Sequence, residues 1–279
     1  MSTPSTVPRT PRASRAATSR LTVRSPRFDI PDDLADTFDG DLSDACSRVA
    51  FSLILPHLEP YLIRVYRALA PHITDARIAA DVEAFCGQEA QHHRGHAAAN
   101  RKIRAFLGPD TAGRLLAVEE RIEADYRRFE TERSLRFQAA FIEGFEAMTC
   151  AMGLTGLETG RRPVGDGPWA ALWRWHLFEE LEHRNVAFDV YEQLGGSYPF
   201  RVAVGARSQL HFLRALHELH GILMEHHGAS TRGVHLPPLL RQGWRRWLRT
   251  YSPRYDPHAI ELPDAIGRYL ATLPLARAG

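Results

Sequence analysis

Two short motifs place a carboxylate and an imidazole one helical turn apart: Glu89-x-x-His92 and Glu180-x-x-His183. Residues three apart share a helix face, so each pair can present both groups to one metal ion or one ion pair. With 18 glutamates and 14 histidines in 279 residues, composition alone yields about one such pair. The count therefore decides little, and placement decides more. The stripe around the first pair runs Ile78, Val82, Phe85, Glu89, His92, His96, Ala99, Ile103. Its steps of three and four residues trace one face of a helix. The second stripe runs Leu172, His176, Glu180, His183, Ala187, Val190. In both, a carboxylate and imidazoles replace core residues in mid-helix. Burying an unpaired carboxylate is expensive or shifts its pKa strongly, so such groups are normally paired or bound to metal.

The elements that must position these groups are helices. The pattern predicts helices over Leu55–Ala70, Asp75–Leu107, Thr111–Glu132, Leu135–Thr159, Trp169–Leu194 and Arg201–His227. Pro56 suits a helix start, and Pro60 is expected to bend the first helix near Glu59. Gly108-Pro109 and Gly195-Gly196 serve as stops. Strand alternation, hairpin signals and a repeat of solenoid length are not found in the pattern. The class is all-α. Two helix pairs joined by a long helical crossover predict a ferritin-like four-helix bundle, with additional C-terminal helices. Such a bundle needs one more glutamate from each remaining helix. Glu59 is the only one in the first. In Leu135–Thr159, Glu146 shares a face with Ala139, Ile142, Thr149 and Gly153, and Glu143 is the reserve. The order Glu, Glu-x-x-His, Glu, Glu-x-x-His is that of dinuclear carboxylate bundles. His96 and His176, one turn from the motifs, are extra ligands or hydrogen-bond partners of the ligands. The alternative is a network of buried salt bridges to arginine.

Composition narrows the rest. A net charge of +2 is too small to imply a polyanion, so no nucleic-acid partner is expected. The apolar runs are too short for a transmembrane helix. Cys46, Cys86 and Cys150 are odd in number and form no CxxC, which argues against a disulfide framework and fits a cytoplasmic protein. Residues 1–40, rich in Arg, Ser and Pro, are expected to be a disordered tail, and 41–279 one helical metal-binding domain. The basic-aromatic stretch Arg241–Tyr251 is expected to pack tryptophan on the bundle with arginines in water.

At these residues the sequence resembles a bacterial family described as predicted metal-dependent hydrolases. The matching stretches are LILPHLEPYLIRVYR, FCGQEAQHHRGH, the Glu146-x-x-Thr149 region, WRWHLFEELEHRNVAFDVY and the late YSPRYDPH. The resemblance covers most of residues 40–260, and QExxH and WHxxEExEH are its specific parts. It implies a ferritin-like fold and a metal-dependent activity. Leu58 and Pro60 depart from the family's pattern around Glu59.

Three functions follow. The favoured one is O₂-dependent oxidation of a small organic substrate at two Fe or Mn ions, with Zn also compatible. Glu59, Glu89, His92, Glu146, Glu180 and His183 are the expected ligands. Thr149 is the candidate catalytic hydroxyl, unless it is an ordinary helix hydroxyl. The second is metal-dependent hydrolysis, in which paired ions activate water. The third is non-catalytic metal binding. A homo-oligomer is compatible with all three.

Overall fold

The computed structural model describes residues 21–38, 40–159, 167–230 and 238–276. Among them the protein is all-α, and the one extended pairing is an antiparallel bridge between Arg24 and Leu275. The helices are α1 (Leu42–Leu69), α2 (Ala76–Leu107), α3 (Pro109–Glu132), α4 (Leu135–Glu158), α5 (Pro168–Glu182), α6 (Val186–Gln193), α7 (Tyr198–His226), α8 (Pro238–Gln242), α9 (Trp244–Arg249) and α10 (Asp264–Leu270). None is long and apolar enough to cross a membrane. Helices α1, α2, α5 and α4 pack in a ring, each against the next, and α3, which joins α2 to α4 in the chain, packs on α1, α2 and α7.

The first helix corrects the expected start. It begins thirteen residues earlier, at Leu42, where the Asp41 carboxylate accepts the Asp44 N–H at 2.9 Å. Pro56 and Pro60 lie inside it. A proline strips the carbonyl four residues back of its helical donor. Asn100 on α2 replaces the missing donor at Ser52, donating to its carbonyl at 2.7 Å. A side chain of α2 thus replaces the donor that Pro56 removes, His93 stands against the Pro56 carbonyl, and the helix continues through Glu59.

The expected helix Trp169–Leu194 is broken instead at His183–Asn185. No glycine or proline causes this. The Arg184 guanidinium donates to the carbonyls of Leu181 (2.9 Å), Pro257 (3.2 Å) and Ile260 (2.8 Å). It caps α5 and ties the break to the C-terminal segment.

Two expectations about the ends change. The expected tail falls partly on residues 1–20, outside the described residues. Residues 21–38, however, pack on the bundle: Ser25 N–H donates to the Pro274 carbonyl at 2.8 Å, and Ala276 N–H to that of Val23 at 3.0 Å. Gly87 admits this strap, since a Cβ there would lie 2.6 Å from Val23. The segment is held by Ile30 and Leu34 in the core and by one buried cation, Arg24, which the sequence pattern did not single out. Helix α7 is likewise no mere addition, because it packs along both α4 and α1. In the basic-aromatic stretch Trp247 is partly buried and donates to Gln209 at 2.7 Å, but Trp244 is half exposed.

Candidate metal centre

The four ring helices bring the ionisable residues of both stripes to one buried place. Glu59 comes from α1, Glu89 and His92 from α2, Glu146 from α4, and His176, Glu180 and His183 from α5 and its C-cap. All seven are at most 5% exposed. Their ligand atoms form three overlapping groups, each with atoms within 4.8 Å of one another: Glu89, His92 and Glu180; Glu146, Glu180 and His183; and Glu59, His92 and His176. Glu180 and His92 each belong to two groups, so the cluster is continuous.

The hydrogen bonds fix which imidazole nitrogen faces inward. His92 Nε2 lies 3.0 Å from Glu179 Oε2, and a carboxylate can only accept. In the neutral, metal-binding form its Nδ1 is therefore the free lone pair, 3.6 Å from Glu89 Oε1 and 3.9 Å from Glu180 Oε1. His183 Nδ1 lies 3.0 Å from Gln88 Oε1. The Gln88 amide is oriented by its NH₂, which donates to Glu182 (2.7 Å) and to the Thr22 carbonyl (3.1 Å). Its oxygen must then accept from His183, leaving His183 Nε2 inward. That atom lies 3.4 Å from Glu146 and 3.6 Å from Glu89 and from Glu180, without hydrogen-bond geometry to any.

Arg24 completes the support of His92. It donates to Glu179 at 2.9 Å and to both oxygens of Glu182 at 2.8 and 3.0 Å. Arg24, Glu179 and His92 form a chain of the carboxylate–histidine type that orients a ligand imidazole. Arg24, Gln88, Glu179 and Glu182 were not singled out from sequence. Gln88 and Glu179 stand inside the very stretches QExxH and WHxxEExEH, each next to a predicted ligand, and that adjacency was the signal. Tyr66, seven residues after Glu59 on the same face, was also missed. It is fully buried with an unpartnered hydroxyl, and Glu146 and Glu89 are among its electrostatic neighbours.

The remaining predicted residues are placed differently. His176 Nε2 is 3.1 Å from Glu180 Oε1, and its Nδ1 is 2.8 Å from His96 Nε2. His96 itself stands one step back, with Ser52 Oγ 2.8 Å from its Nδ1. Glu143 accepts from Arg201 at 2.9 Å and belongs to none of the three groups. The Thr149 hydroxyl donates to the Glu146 carbonyl at 3.0 Å, the ordinary helix-hydroxyl bond.

Electrostatics show a site poised between protons and cations. Burial, then Glu89, drives Glu59 well above the usual carboxylate range. Burial and Glu180 push Glu146 up to about 8. Burial alone would raise Glu180 too, but His183 and His176 hold it well below its ordinary value. Burial would lower His92, yet Glu179 and Glu89 lift it to about 10. Among the described residues, no arginine or lysine forms an ion pair with Glu59, Glu89, Glu146 or Glu180. The salt-bridge alternative therefore fails where it matters. Among the described residues the buried arginine pairs Arg24–Glu179 and Arg201–Glu143 both lie outside the three groups.

No curated protein and no solved structure matches the chain. The model of a family described as "predicted metal-dependent hydrolase" matches residues 22–261, which begin at the strap and end after the C-terminal Pro-His element. That match spans most of the chain, and the protein belongs to this family of predicted metal-dependent hydrolases.

Proposed function

We propose that this protein is a metal-dependent enzyme whose cluster holds two metal ions, and that its reaction is hydrolysis. One observation carries the metal reading. Both oxygens of Glu59, Glu89 Oε1, His92 Nδ1, Glu146 Oε1, Glu180 Oε2 and His183 Nε2 are all buried without a hydrogen-bond partner. Such atoms are costly one by one. Gathered on ligand residues facing one another, they are what a pair of cations would satisfy. Glu59, Glu89, Glu146, Glu180, His92 and His183 would hold the ions, with His176 against Glu59 and Glu180. A carboxylate-rich set with imidazoles suits Fe, Mn or Zn, and the ring of helices is of the kind that ferritin-like bundles use.

Bound there, such ions supply Lewis acidity and a water of lowered pKa or, if redox-active, electrons for O₂. The chain's own residues prepare for this. Arg24 and Glu179 lock His92 with Nδ1 free, and Gln88 locks His183 with Nε2 free. Phe85 and Trp175 pack their rings 4.6 Å from His183 and 4.7 Å from His92, keeping the surroundings dry. The sequence alone ranks oxidation first, whereas the family description favours hydrolysis. The second reading, oxidation, keeps one observation in its favour: the unpartnered Tyr66 hydroxyl, a buried phenol among these carboxylates.

The test is a panel of aryl esters and phosphoesters offered to the protein loaded with Mn, Zn or anaerobic Fe(II), beside Glu180→Ala. Metal-dependent turnover, lost in the variant, supports hydrolysis. Oxygen uptake tied to iron, without ester turnover, moves the assignment to oxidation. Neither activity on any panel member removes the enzymatic reading.

A further inference from the structure

A cavity of about 290 Å³ lies between α4 and the C-terminal segment. Its floor is one face of α4: Ala147, Cys150, Ala151 and Leu154. Ala147 follows Glu146 directly and Cys150 lies one turn on, so the floor flanks a proposed ligand. Glu146 is an electrostatic neighbour both of Cys150 and of Tyr255, which also lines the cavity. Burial pushes the Cys150 thiol up to about 12, so the floor is uncharged.

The rim is cationic. Arg246, Arg249 and Arg254 line it against one carboxylate, Asp256, which accepts the His258 N–H at 3.0 Å. Arg246 is paired with Glu158. Arg249 and Arg254 are exposed, and neither forms an ion pair among the described residues. The segment bearing them is fastened from below. Buried Arg201 holds Glu143 at 2.9 Å and the carbonyls of Thr250 and Ser252 at 3.0 and 3.1 Å. A larger groove of about 450 Å³ between α3 and α7 also carries arginines. There Arg121 is paired with Glu218 and Arg128 with Asp125, Arg207 and Arg214 form no ion pair among the described residues, and no proposed ligand adjoins it.

Resting on the metal-dependent reading for its role, we propose that the α4 cavity binds the substrate, and that this is an anion carrying a short apolar group. The guanidiniums take the carboxylate or phosphate head, for which their planar donors are suited. The α4 face takes the apolar part and leads it toward Glu146. At ~30 Å³ per water-sized unit, the volume fits a molecule of about ten non-hydrogen atoms.

The experiment is calorimetric titration of the full chain with octanoate, octyl phosphate and 1-octanol, repeated on Arg249→Ala/Arg254→Ala, with metal content measured on the same samples. At least one anion is expected to bind tenfold or more tighter than the alcohol, and the double variant to lose at least tenfold for that anion while its octanol affinity and metal content stay unchanged. The stronger of the two anions identifies the head group. Equal affinities for anion and alcohol, an unaffected variant, or no binding of either anion at millimolar concentration overturns the proposal. Anion binding by a wild-type protein that holds no metal leaves the cavity assignment standing and removes the metal reading alone.

Discussion

At the scale of single residues, the centre depends on which atom of each imidazole is left free. His92 and His183 solve this in opposite ways, one presenting Nδ1 and the other Nε2, because their outward partners approach from different sides. The residues that do the orienting should therefore be felt through the metal. Glu179→Ala removes the acceptor that holds His92 and leaves Arg24 with less counter-charge. It is expected to weaken metal affinity by roughly 10–100-fold, read by competition with a chromogenic chelator. Thr149→Val is expected to leave affinity unchanged, since that hydroxyl bonds its own helix. Glu89, His92, Glu180 and His183 stand out in the sequence because each breaks an apolar stripe, whereas Glu59 is picked only as the one glutamate of its helix. Arg24 was not, because its role exists only where residue 24 meets Glu179, Glu182 and the Leu270 carbonyl in space.

At the scale of elements, helix type and number were readable from periodicity, while helix ends and breaks were not. Pro56 reads as a start only if no neighbour can supply the missing hydrogen bond, and that neighbour, Asn100, lies on another helix. The break after Glu182 rests on Arg184 reaching residues more than seventy positions away. The importance of α7 is likewise a tertiary fact. It crosses α4 at paired glycines, where a Cβ on Gly144 would lie 2.3 Å from the Gly205 Cα. Backbone cannot yield as a flexible side chain can. Gly144→Ala is expected to cost about 1–3 kcal/mol of stability, seen as a lower denaturant midpoint. The Gly205 side has more room, 3.3 Å to the nearest atom, so Gly205→Ala should cost less.

At the scale of the whole molecule, residues from both sides of the bundle sequence close over α5 and α6. The strap at residues 22–25 meets residues 274–276 beside Glu179, and His258 lies 2.7 Å from Asp189 on α6. The Asp189 carboxylate holds the His258 imidazolium above its ordinary value of 6.5. A folded-state pKa raised in this way stabilises fully below the ordinary value, and the contribution is lost as pH rises through the raised one. The C-terminal segment should thus be more resistant to limited proteolysis at about pH 6 than at about pH 8, with the difference diminished in His258→Gln. Metal should stabilise the whole fold as well, because the cluster joins four helices. At a free metal concentration a hundredfold above Kd, the gain over chelator-treated protein is ~2.7 kcal/mol for each ion bound, visible as a higher unfolding temperature.

The metal pair is open to elemental mass spectrometry of the purified full chain beside a Glu89→Ala/Glu180→Ala variant. About two Fe, Mn or Zn ions per chain are expected, with their loss in a variant that remains helical by circular dichroism. A wild-type protein without stoichiometric metal even after reconstitution, or a variant that keeps both ions, would contradict the metal pair.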